Sequence, residues 1–244
     1  MPSDQMPANK GYRTVYGRRQ GRPLRVGLQR LIQDKLPALA VPIPNAGRQI
    51  DLASLFPNAC DQIWLEIGFG GGEHLAWQAR MVRDSGWPVG IIGAEYFING
   101  VARLLRHLEG ARCEDLVRIH SGDVWELLSA LPPDSLSRVF VLFPDPWPKA
   151  RHHKRRLLQP AFLDVLEHLM KDRGLLRVAT DDPDYLTWIM GHFQDNPAFE
   201  WEAQDAKDWR CRPTDWPPTR YEEKALAAGR RGYFLSYRHH RRAG

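Results

Sequence analysis

The sequence predicts an α/β fold in which a mostly parallel, seven-stranded sheet carries helices on both faces. From about residue 60, apolar strand-like runs alternate with amphipathic helix-like runs, and the links between them are short. Such alternation is typical of a parallel sheet that is covered on both sides. The chain has 244 residues, of which 43% are hydrophobic and 26% charged. This is enough for one large folded domain and argues against a disordered chain.

The predicted elements follow one another along the main domain. The strands that we expect to run parallel occupy residues 63–67, 89–94, 116–120, 138–143 and 174–179. The helices occupy residues 73–82, 98–108, 125–128, 159–170 and 183–193. Residues 199–202 and 232–237 are predicted to form a closing antiparallel pair. Ligands of such sheets bind beyond the carboxyl ends of the strands, so the turns after the strands form the candidate site.

A basic segment precedes the main domain. Residues 1–50 hold nine Lys/Arg against two Asp/Glu, and we predict that they form a partly flexible arm and linker before a domain over 51–244. A short helix is predicted over 24–36, followed by a stiff connector at Pro37, Pro42 and Pro44. Arginines and tyrosines alternate near residues 12–25, which suits an arm lying along phosphates, with a solubilising tail as the alternative.

Charge and cysteine content restrict the function classes. Residues 51–144 hold seven Lys/Arg against twelve Asp/Glu, whereas both flanks are basic. This suits a small-molecule pocket whose edges touch a polyanion, with ordinary surface charge as the alternative. No apolar run approaches the ~18 residues needed to span a membrane. The three cysteines lie too far apart for a zinc pair and are too few for a disulfide framework, so we expect a cytoplasmic protein.

A glycine-rich turn follows the first strand. Residues 66–73 read Glu-Ile-Gly-Phe-Gly-Gly-Gly-Glu, and such glycines let a ligand approach the backbone closely. A dinucleotide-binding turn would need a third glycine where Glu73 stands, and this anion disfavours a pyrophosphate. The turn permits S-adenosylmethionine, which carries no phosphate. Gly68 and Gly70 would lie against it and Glu66 would help to hold its ammonium group, with a purely structural turn as the alternative.

Two more carboxylates follow the next two strands. Glu95 can accept both ribose hydroxyls of a nucleoside, as acidic residues do at this position of nucleotide-binding folds. Asp123 can accept from the adenine amino group, with Val124 and Trp125 beside the ring. Each acid alone can cap a helix. Three carboxylates at three successive strand ends favour a cofactor site.

The turn after the fourth strand is the most specific stretch. Residues 143–149 read Phe-Pro-Asp-Pro-Trp-Pro-Lys, in which prolines fix the loop around Asp145 before substrate binds; an ordinary stiff turn is the alternative. Five Lys/Arg and no acid occupy residues 149–156, which indicates contact with a phosphate backbone. His152 and His153 lack the spacing and the carboxylate partners of a zinc site, so we predict no metal.

These motifs resemble those of the bacterial tRNA (guanine-N7)-methyltransferases. The stretches 66–70, 143–149 and 151–156 carry the resemblance. The triplet Ala179-Thr180-Asp181, residues 219–222 and the arm residues 18–22 extend it over nearly the whole chain beyond residue 10. The resemblance implies a Rossmann-like class I methyltransferase domain over 51–244. It also implies methylation of N7 of a guanosine in the tRNA variable loop, at position 46 of the standard tRNA scheme, with S-adenosylmethionine as donor.

The resemblance further implies roles for individual residues. Asp145 is the candidate catalytic residue and lies on the cofactor side together with Glu66, Glu95 and Asp123. The guanosine would be contacted by Lys149, Asp181, Thr219, Arg220, Tyr221 and Glu222. The RNA backbone would be contacted by Arg151, His152, His153, Lys154, Arg155 and Arg156. Trp147 and Tyr221 are candidate stacking platforms for the base, and burial in the core is the alternative for each.

Three other classes are less well supported. Exocyclic-amine methyltransferases acting on adenine N6 or cytosine N4 also have an Asp/Asn-Pro-Pro-aromatic turn after the fourth strand, but here a single proline separates Asp145 from Trp147. The set of Glu66, Glu95 and Asp123 argues against a catalytically inactive RNA-binding module. Glu73 argues against a dehydrogenase. We expect tRNA as the partner, no obligate protein partner, and a monomer or a homodimer.

Overall fold

The computed structural model describes residues 16–45, 47–218 and 220–242. The α-helices are α1 Val26–Leu39, α2 Leu52–Leu55, α3 Glu73–Ser85, α4 Ile98–Ala111, α5 Val124–Ala130, α6 Pro160–Leu169, α7 Pro183–Gln194, α8 Lys207–Arg210 and α9 Arg220–Ala227. The strands are β1 Gln62–Ile67, β2 Val89–Ala94, β3 Val117–His120, β4 Leu136–Leu142, β5 Met170–Thr180, β6 Phe199–Trp201 and β7 Tyr233–His239. Short 3-10 helices lie at Glu114–Leu116 and Ala150–Arg155.

The strands form one seven-stranded sheet in the order β3-β2-β1-β4-β5-β7-β6. The first five strands along the chain are parallel, and β7 is antiparallel to both β5 and β6. Ile67 lies opposite Ala94 and Val141, and Leu142 lies opposite Ala179. The carboxyl ends of the parallel strands therefore meet at one edge. The predicted fold class, including the antiparallel closing pair, is confirmed.

Two apolar clusters hold helices to the two faces of the sheet. Because side chains alternate along a strand, Leu65 of β1 packs toward α5, α6 and α7, whereas Trp64 packs toward α3 and α4. Leu65 is fully buried, which contributes about 1.5–3 kcal/mol to folding. Glu66 lies on the same face as Trp64. This alternation directs the Glu66 side chain toward α3, under the glycine turn.

The linker differs from the prediction at Pro37. The sequence predicts that the helix ends before this residue, but α1 continues to Leu39. A proline inside a helix removes one backbone hydrogen bond. Leu36 and Leu39 offset this loss because they pack into the α3–α4 cluster. The linker then joins the sheet through the Val41 N–H, which donates to the Ile119 carbonyl at 3.0 Å.

Candidate active site

Two adjoining cavities open at the carboxyl edge of the parallel strands, with volumes of about 250 and 290 Å³. Gly68, Glu95 and Asp145 line both of them. The first cavity extends to Asp123 and Trp125, and the second extends to Glu66 and the glycine turn. The structure therefore brings together the four carboxylates and the two glycines that the sequence places on the cofactor side.

The glycine turn lines the cavities: Gly68 borders both, and Gly70 and Gly71 border the second. Gly68 has φ +69°, and a Cβ on it would have no protein atom within 4 Å, so a side chain there would enter the open space. Gly100 at the start of α4 must be glycine for a different reason, namely that a Cβ on it would lie 2.0 Å from the Gly70 carbonyl oxygen. The backbone thus leaves room for a ligand at Gly68 and brings a helix onto the turn at Gly100.

Glu95 is held in place by two backbone N–H groups. Gly70 N–H donates to Oε2 and Phe97 N–H donates to Oε1, both at 2.8 Å. Burial raises the pKa of Glu95, whereas the N–H donors of Phe97 and Gly70 oppose that shift and the charge of Asp145 adds to it. The result is an oriented carboxylate at the cavity wall whose remaining lone pairs can accept hydroxyl donors.

Asp123 serves two purposes at once. Its side chain caps α5 by accepting from the Trp125 N–H at 3.0 Å, and it also lines the first cavity beside Val124 and Trp125. Asp123 therefore caps the helix, as the alternative interpretation has it, and it lines the cavity as well. Its backbone carbonyl bonds His120 Nε2 at 2.8 Å, which fixes the turn.

Glu66 has a partner that the sequence analysis missed. His74 Nδ1 lies 2.7 Å from Glu66 Oε2, and both side chains are only 3% exposed. The His74 ring in turn packs against Phe140 and Trp216. His74 lies in the first turn of α3, eight residues after Glu66 near the end of β1. This spacing is the sequence signal that could have identified the pair.

The turn that carries Asp145 is called the elbow, residues 143–149. Phe143 and Trp147 both adopt left-handed backbone conformations, with φ of 51° and 45°. Conformations of this kind cost about 1–3 kcal/mol each and persist only where the surroundings impose them. The Phe143 N–H donates to the Ala179 carbonyl at 2.8 Å, which joins the elbow to the end of β5. The elbow is a strained segment that presents Asp145 to both cavities.

The basic run over residues 149–156, which begins at the last residue of the elbow, divides into an exposed part and a part that faces the protein. Lys149, Arg151 and Lys154 are exposed. The Arg155 guanidinium lies over the rings of Trp147 and Tyr16, at 4.8 and 4.7 Å, beside the first cavity.

Two histidines of this run pack against neighbouring aromatic rings. The His152 ring lies perpendicular to Trp147 at 5.9 Å, and desolvation together with the neighbouring cations lowers its pKa. His153 packs against Trp188, and its Nε2 lies 3.8 Å from Asp184. Both histidines are half-buried, so less of their surface is open to RNA than at Arg151 and Lys154.

The prediction that Arg156 contacts the RNA backbone is wrong. Its side chain is fully buried. The guanidinium donates to the Pro146 carbonyl and to the Asp184 carboxylate, and it lies over two aromatic rings. A short 3-10 helix sends consecutive side chains in different directions, and Arg156 comes at the point where the chain turns inward.

Two of the residues predicted to contact the guanosine, Asp181 and Glu222, form ion pairs within the protein. Asp181 forms an ion pair with Arg230 at 2.9 Å. Glu222 is mostly buried and accepts from Arg212 Nε at 3.0 Å. Thr219 lies outside the described residues, and the side chains of Arg220 and Tyr221 lie outside them as well. Their predicted contacts remain predictions.

The described start of the N-terminal arm, residues 16–19, lies beside the cavities, a contact that no sequence motif predicts. Tyr16 and Gly17 line that cavity. Arg19 Nη1 donates to the carbonyls of Tyr96 and Ser121 at 3.0 and 2.9 Å, and the Arg19 carbonyl accepts from Ile98 N–H at 3.0 Å. Arg19 therefore ties together the turns that carry Glu95 and Asp123. No local signal distinguishes it from the arginines around it.

The cavities fit S-adenosylmethionine. The open space over Gly68 can take the methionyl part of the molecule without meeting a Cβ. Glu95 offers oriented acceptors for a ribose, and Val124 and Trp125 offer apolar surface beside Asp123 for an adenine. Across the described ranges, no group of three His, Cys, Asp or Glu side chains is placed to hold a metal ion. Within those same ranges, no helix has the length and apolar character to cross a membrane.

Comparison with known proteins identifies the family. The family model described as "Putative methyltransferase" matches residues 61–235. The tRNA (guanine-N(7)-)-methyltransferase of Rhodospirillum rubrum is 49% identical over 93% of this chain and 88% of its own length, and that of Paramagnetospirillum magneticum is 48% identical over 91% of each. A solved SAM-dependent O-methyltransferase from Thermotoga maritima is 15% identical, with a TM-score of 0.49 over 76% of this chain and 62% of its own. On the sequence relationships, the chain belongs to the tRNA (guanine-N(7)-)-methyltransferase family.

Proposed function

We propose that this protein transfers the methyl group of S-adenosylmethionine to N7 of the guanosine at position 46, in the variable loop of tRNA. The family relationship supports the reaction type. The observation that carries the proposal is the placement of Asp145, which lines both cavities together with Glu95 at the edge of the sheet. A base that reaches Asp145 lies beside the space suited to the cofactor.

The residues around the cavities would hold the cofactor at both ends. Glu95 would accept from the ribose hydroxyls, and Asp123 would accept from the adenine amino group. Glu66, which is paired with His74 and lines the second cavity, would receive the methionyl ammonium group directly or through water. When bound, S-adenosylmethionine supplies a methyl group that its sulfonium already activates for attack.

Guanine N7 carries an in-plane lone pair and no proton, so the protein needs no general base for this reaction. The N7–carbon bond forms as the sulfur–carbon bond breaks, and the guanine base gains a positive charge. The protein can therefore contribute alignment, which is worth up to ~7–11 kcal/mol in well-oriented systems, and a favourable field. Ionised Asp145 would accept from the N1 or amino edge of guanine and balance the developing charge, with Asp181 or Glu222 as a second contact.

A cationic surface beside the cavities suits the tRNA backbone. It consists of the exposed Lys149, Arg151 and Lys154 of the basic run and the exposed arm residues Arg18, Arg22 and Arg25. Tyr16 packs edge-on against Trp147 at 6.1 Å, which brings the arm next to the elbow. Phosphate contacts of this kind position an RNA without reading its sequence.

The proposal is tested by nucleoside analysis. The protein is incubated with unmodified tRNA and methyl-labelled S-adenosylmethionine, the RNA is digested, and the labelled nucleoside is identified. We expect N7-methylguanosine, and none from a matched transcript that carries adenosine at position 46. Label on adenine N6 or cytosine N4 would favour the exocyclic-amine class, and cofactor binding without transfer would favour an inactive RNA-binding module.

Removing two exposed cations after the elbow is expected to weaken tRNA binding. The double variant Arg151→Ala, Lys154→Ala should raise the KM for tRNA about 10-fold and reduce the salt dependence of binding by about one unit of log–log slope per lost phosphate contact. The assay is the tRNA KM measured at several salt concentrations. The matched control removes the exposed Arg48 and Arg80 instead. An unchanged salt slope would exclude a phosphate contact for Arg151 and Lys154.

Releasing the arm is expected to weaken cofactor binding. Arg19→Ala removes the bonds to the Tyr96 and Ser121 carbonyls, which hold the turns of Glu95 and Asp123 together. Because the side chain is exposed, we expect only about a 10-fold rise in the Kd for S-adenosylmethionine. Calorimetric titration measures it, with Arg25→Ala at the start of α1 as the control. Equal affinities for both variants would show that the arm contributes nothing to the cavity.

A further inference from the structure

Arg156 lies behind the elbow, with a fully buried side chain. Its Nε donates to the Pro146 carbonyl at 2.8 Å, and Pro146 stands between Asp145 and Trp147. Its Nη2 donates to the carboxylate of Asp184 in the first turn of α7. A single guanidinium thus bonds both the elbow, which follows β4, and helix α7, which follows β5.

Two aromatic rings lie beside this guanidinium. The rings of Tyr185 and Trp188 each lie 5.0 Å from its central carbon. Those rings are themselves fixed by Leu158, whose N–H donates to the Tyr185 hydroxyl at 3.2 Å and whose carbonyl accepts from Trp188 Nε1 at 2.7 Å. Arginine is suited to such a place because its planar fork can bond two acceptors while it stacks.

The helix that receives Arg156 also positions Asp181. Asp182 caps α7 by accepting from the Tyr185 N–H at 2.8 Å, and Asp181 directly precedes that cap. The elbow follows β4 and this cap follows β5, which are neighbouring parallel strands. The bonds of Arg156 to Pro146 and Asp184 therefore link the turn that carries Asp145 to the turn that carries Asp181.

The elbow requires such a link. Phe143 and Trp147, two residues to either side of Asp145, both have left-handed backbone conformations that their side chains disfavour. The Phe143 end is tied to the Ala179 carbonyl, and the Trp147 end adjoins the Pro146 carbonyl that Arg156 bonds. Without Arg156, the Pro146 carbonyl at the Trp147 end of the elbow would lose its charged hydrogen-bond donor.

We propose that Arg156 is a positioning residue for methyl transfer, which holds Asp145 in register with Asp181 so that both carboxylates meet one guanine. The proposal rests on the roles proposed above for those two acids. Arg156 does not touch the substrate. It acts through the backbone of the elbow and through Asp184.

The test is Arg156→Lys, which keeps the charge but lacks the planar fork that spans the two acceptors and packs against the rings. We expect kcat to fall about 30-fold, because small displacements of a reacting group cost this much. The Kd for S-adenosylmethionine and the KM for tRNA should stay within about threefold, since Glu95, Asp123 and the exposed cations are unchanged. Asp184→Asn should lower kcat less, and the double variant should be no worse than Arg156→Lys alone.

The matched control is Arg118→Lys in β3. Arg118 is also a buried arginine that donates to backbone carbonyls and lies over a ring, that of Phe56, but it is remote from the elbow. At a similar loss of Tm, this control should keep its kcat. A kcat of Arg156→Lys near that of the control, or a loss confined to Kd or KM, would overturn the proposal.

Two further outcomes are separated by the same assays. If Arg156→Lys does not fold, Asp184→Asn decides, because Asp184 is two-thirds exposed and its replacement leaves the core intact. A lower kcat at unchanged Tm supports the proposal, and an unchanged kcat contradicts it. If the unaltered protein forms no N7-methylguanosine, the proposed function itself fails. If the unaltered protein does form N7-methylguanosine and the variants have the same kcat, only the positioning role of Arg156 fails.

Discussion

Replacing Asp145 by alanine is expected to lower kcat for methyl transfer about 100- to 1,000-fold, an effect comparable to the loss of one preorganised electrostatic partner. Asp145 lines both cavities on a strained elbow, so its carboxylate can meet the guanine edge while the base gains charge. Cofactor affinity should fall only a few-fold, because Glu95 and Asp123 still line the first cavity. Single-turnover kinetics with labelled donor measure the chemical step.

The variant Asp145→Asn separates the contribution of the negative charge to kcat from that of the side-chain size. It keeps the size of the side chain and one acceptor oxygen, so it should retain more activity than alanine but much less than aspartate. The control is Asp164→Ala, an exposed acid on α6 beside a different cavity. Near-normal turnover of Asp145→Ala would refute the role given to this residue.

Replacing Glu95 by alanine is expected to raise the Kd for S-adenosylmethionine by about 100-fold or more. Hydrogen bonds to a charged group contribute about 1.5–3 kcal/mol each, and the change removes the acceptors for two ribose hydroxyls. It also leaves the N–H groups of Gly70 and Phe97 without their carboxylate. Calorimetry measures the affinity, and Glu126→Ala, an exposed acid on α5, is the control. An affinity within about threefold of the unaltered protein would remove Glu95 from the cofactor site.

The same residue predicts a pH dependence. Ribose binding needs the ionised carboxylate, and burial raises the pKa of Glu95 above that of an ordinary glutamate. Cofactor affinity should therefore decline as the pH falls through this raised pKa, and the decline should begin at a higher pH than an exposed glutamate would give. Glu95→Gln should bind weakly and without this decline. A parallel decline in both proteins would assign the titration to another group.

The sequence could predict the carboxylates at the strand ends, because the pattern that predicts parallel strands also predicts where those strands end. Glu66, Glu95 and Asp145 each follow or end an apolar run, and parallel strands bring those ends to one edge. Asp123 shows the limit of such reasoning: it is both a helix cap and a cavity residue, so the two interpretations were never exclusive.

Long-range partners explain what the sequence could not predict. Arg151 and Arg156 stand in one basic run, yet Arg151 is exposed and Arg156 is buried. The difference comes from the bond between Arg156 and Asp184, which lies 28 residues away in the sequence. Arg19 bonds two backbone carbonyls that lie 77 and 102 residues further along the chain. A carbonyl is present at every position, so no residue pattern marks these two as partners.

The most direct measurement is a crystal structure of the protein with S-adenosylhomocysteine and a tRNA fragment carrying the variable loop. The expected result places the ribose within hydrogen-bond distance of Glu95 and the homocysteine over Gly68, with guanine N7 facing the sulfur and the guanine edge on Asp145. A ligand seated away from the carboxyl edge of the sheet, or a guanine that leaves Asp145 uncontacted, would contradict the account.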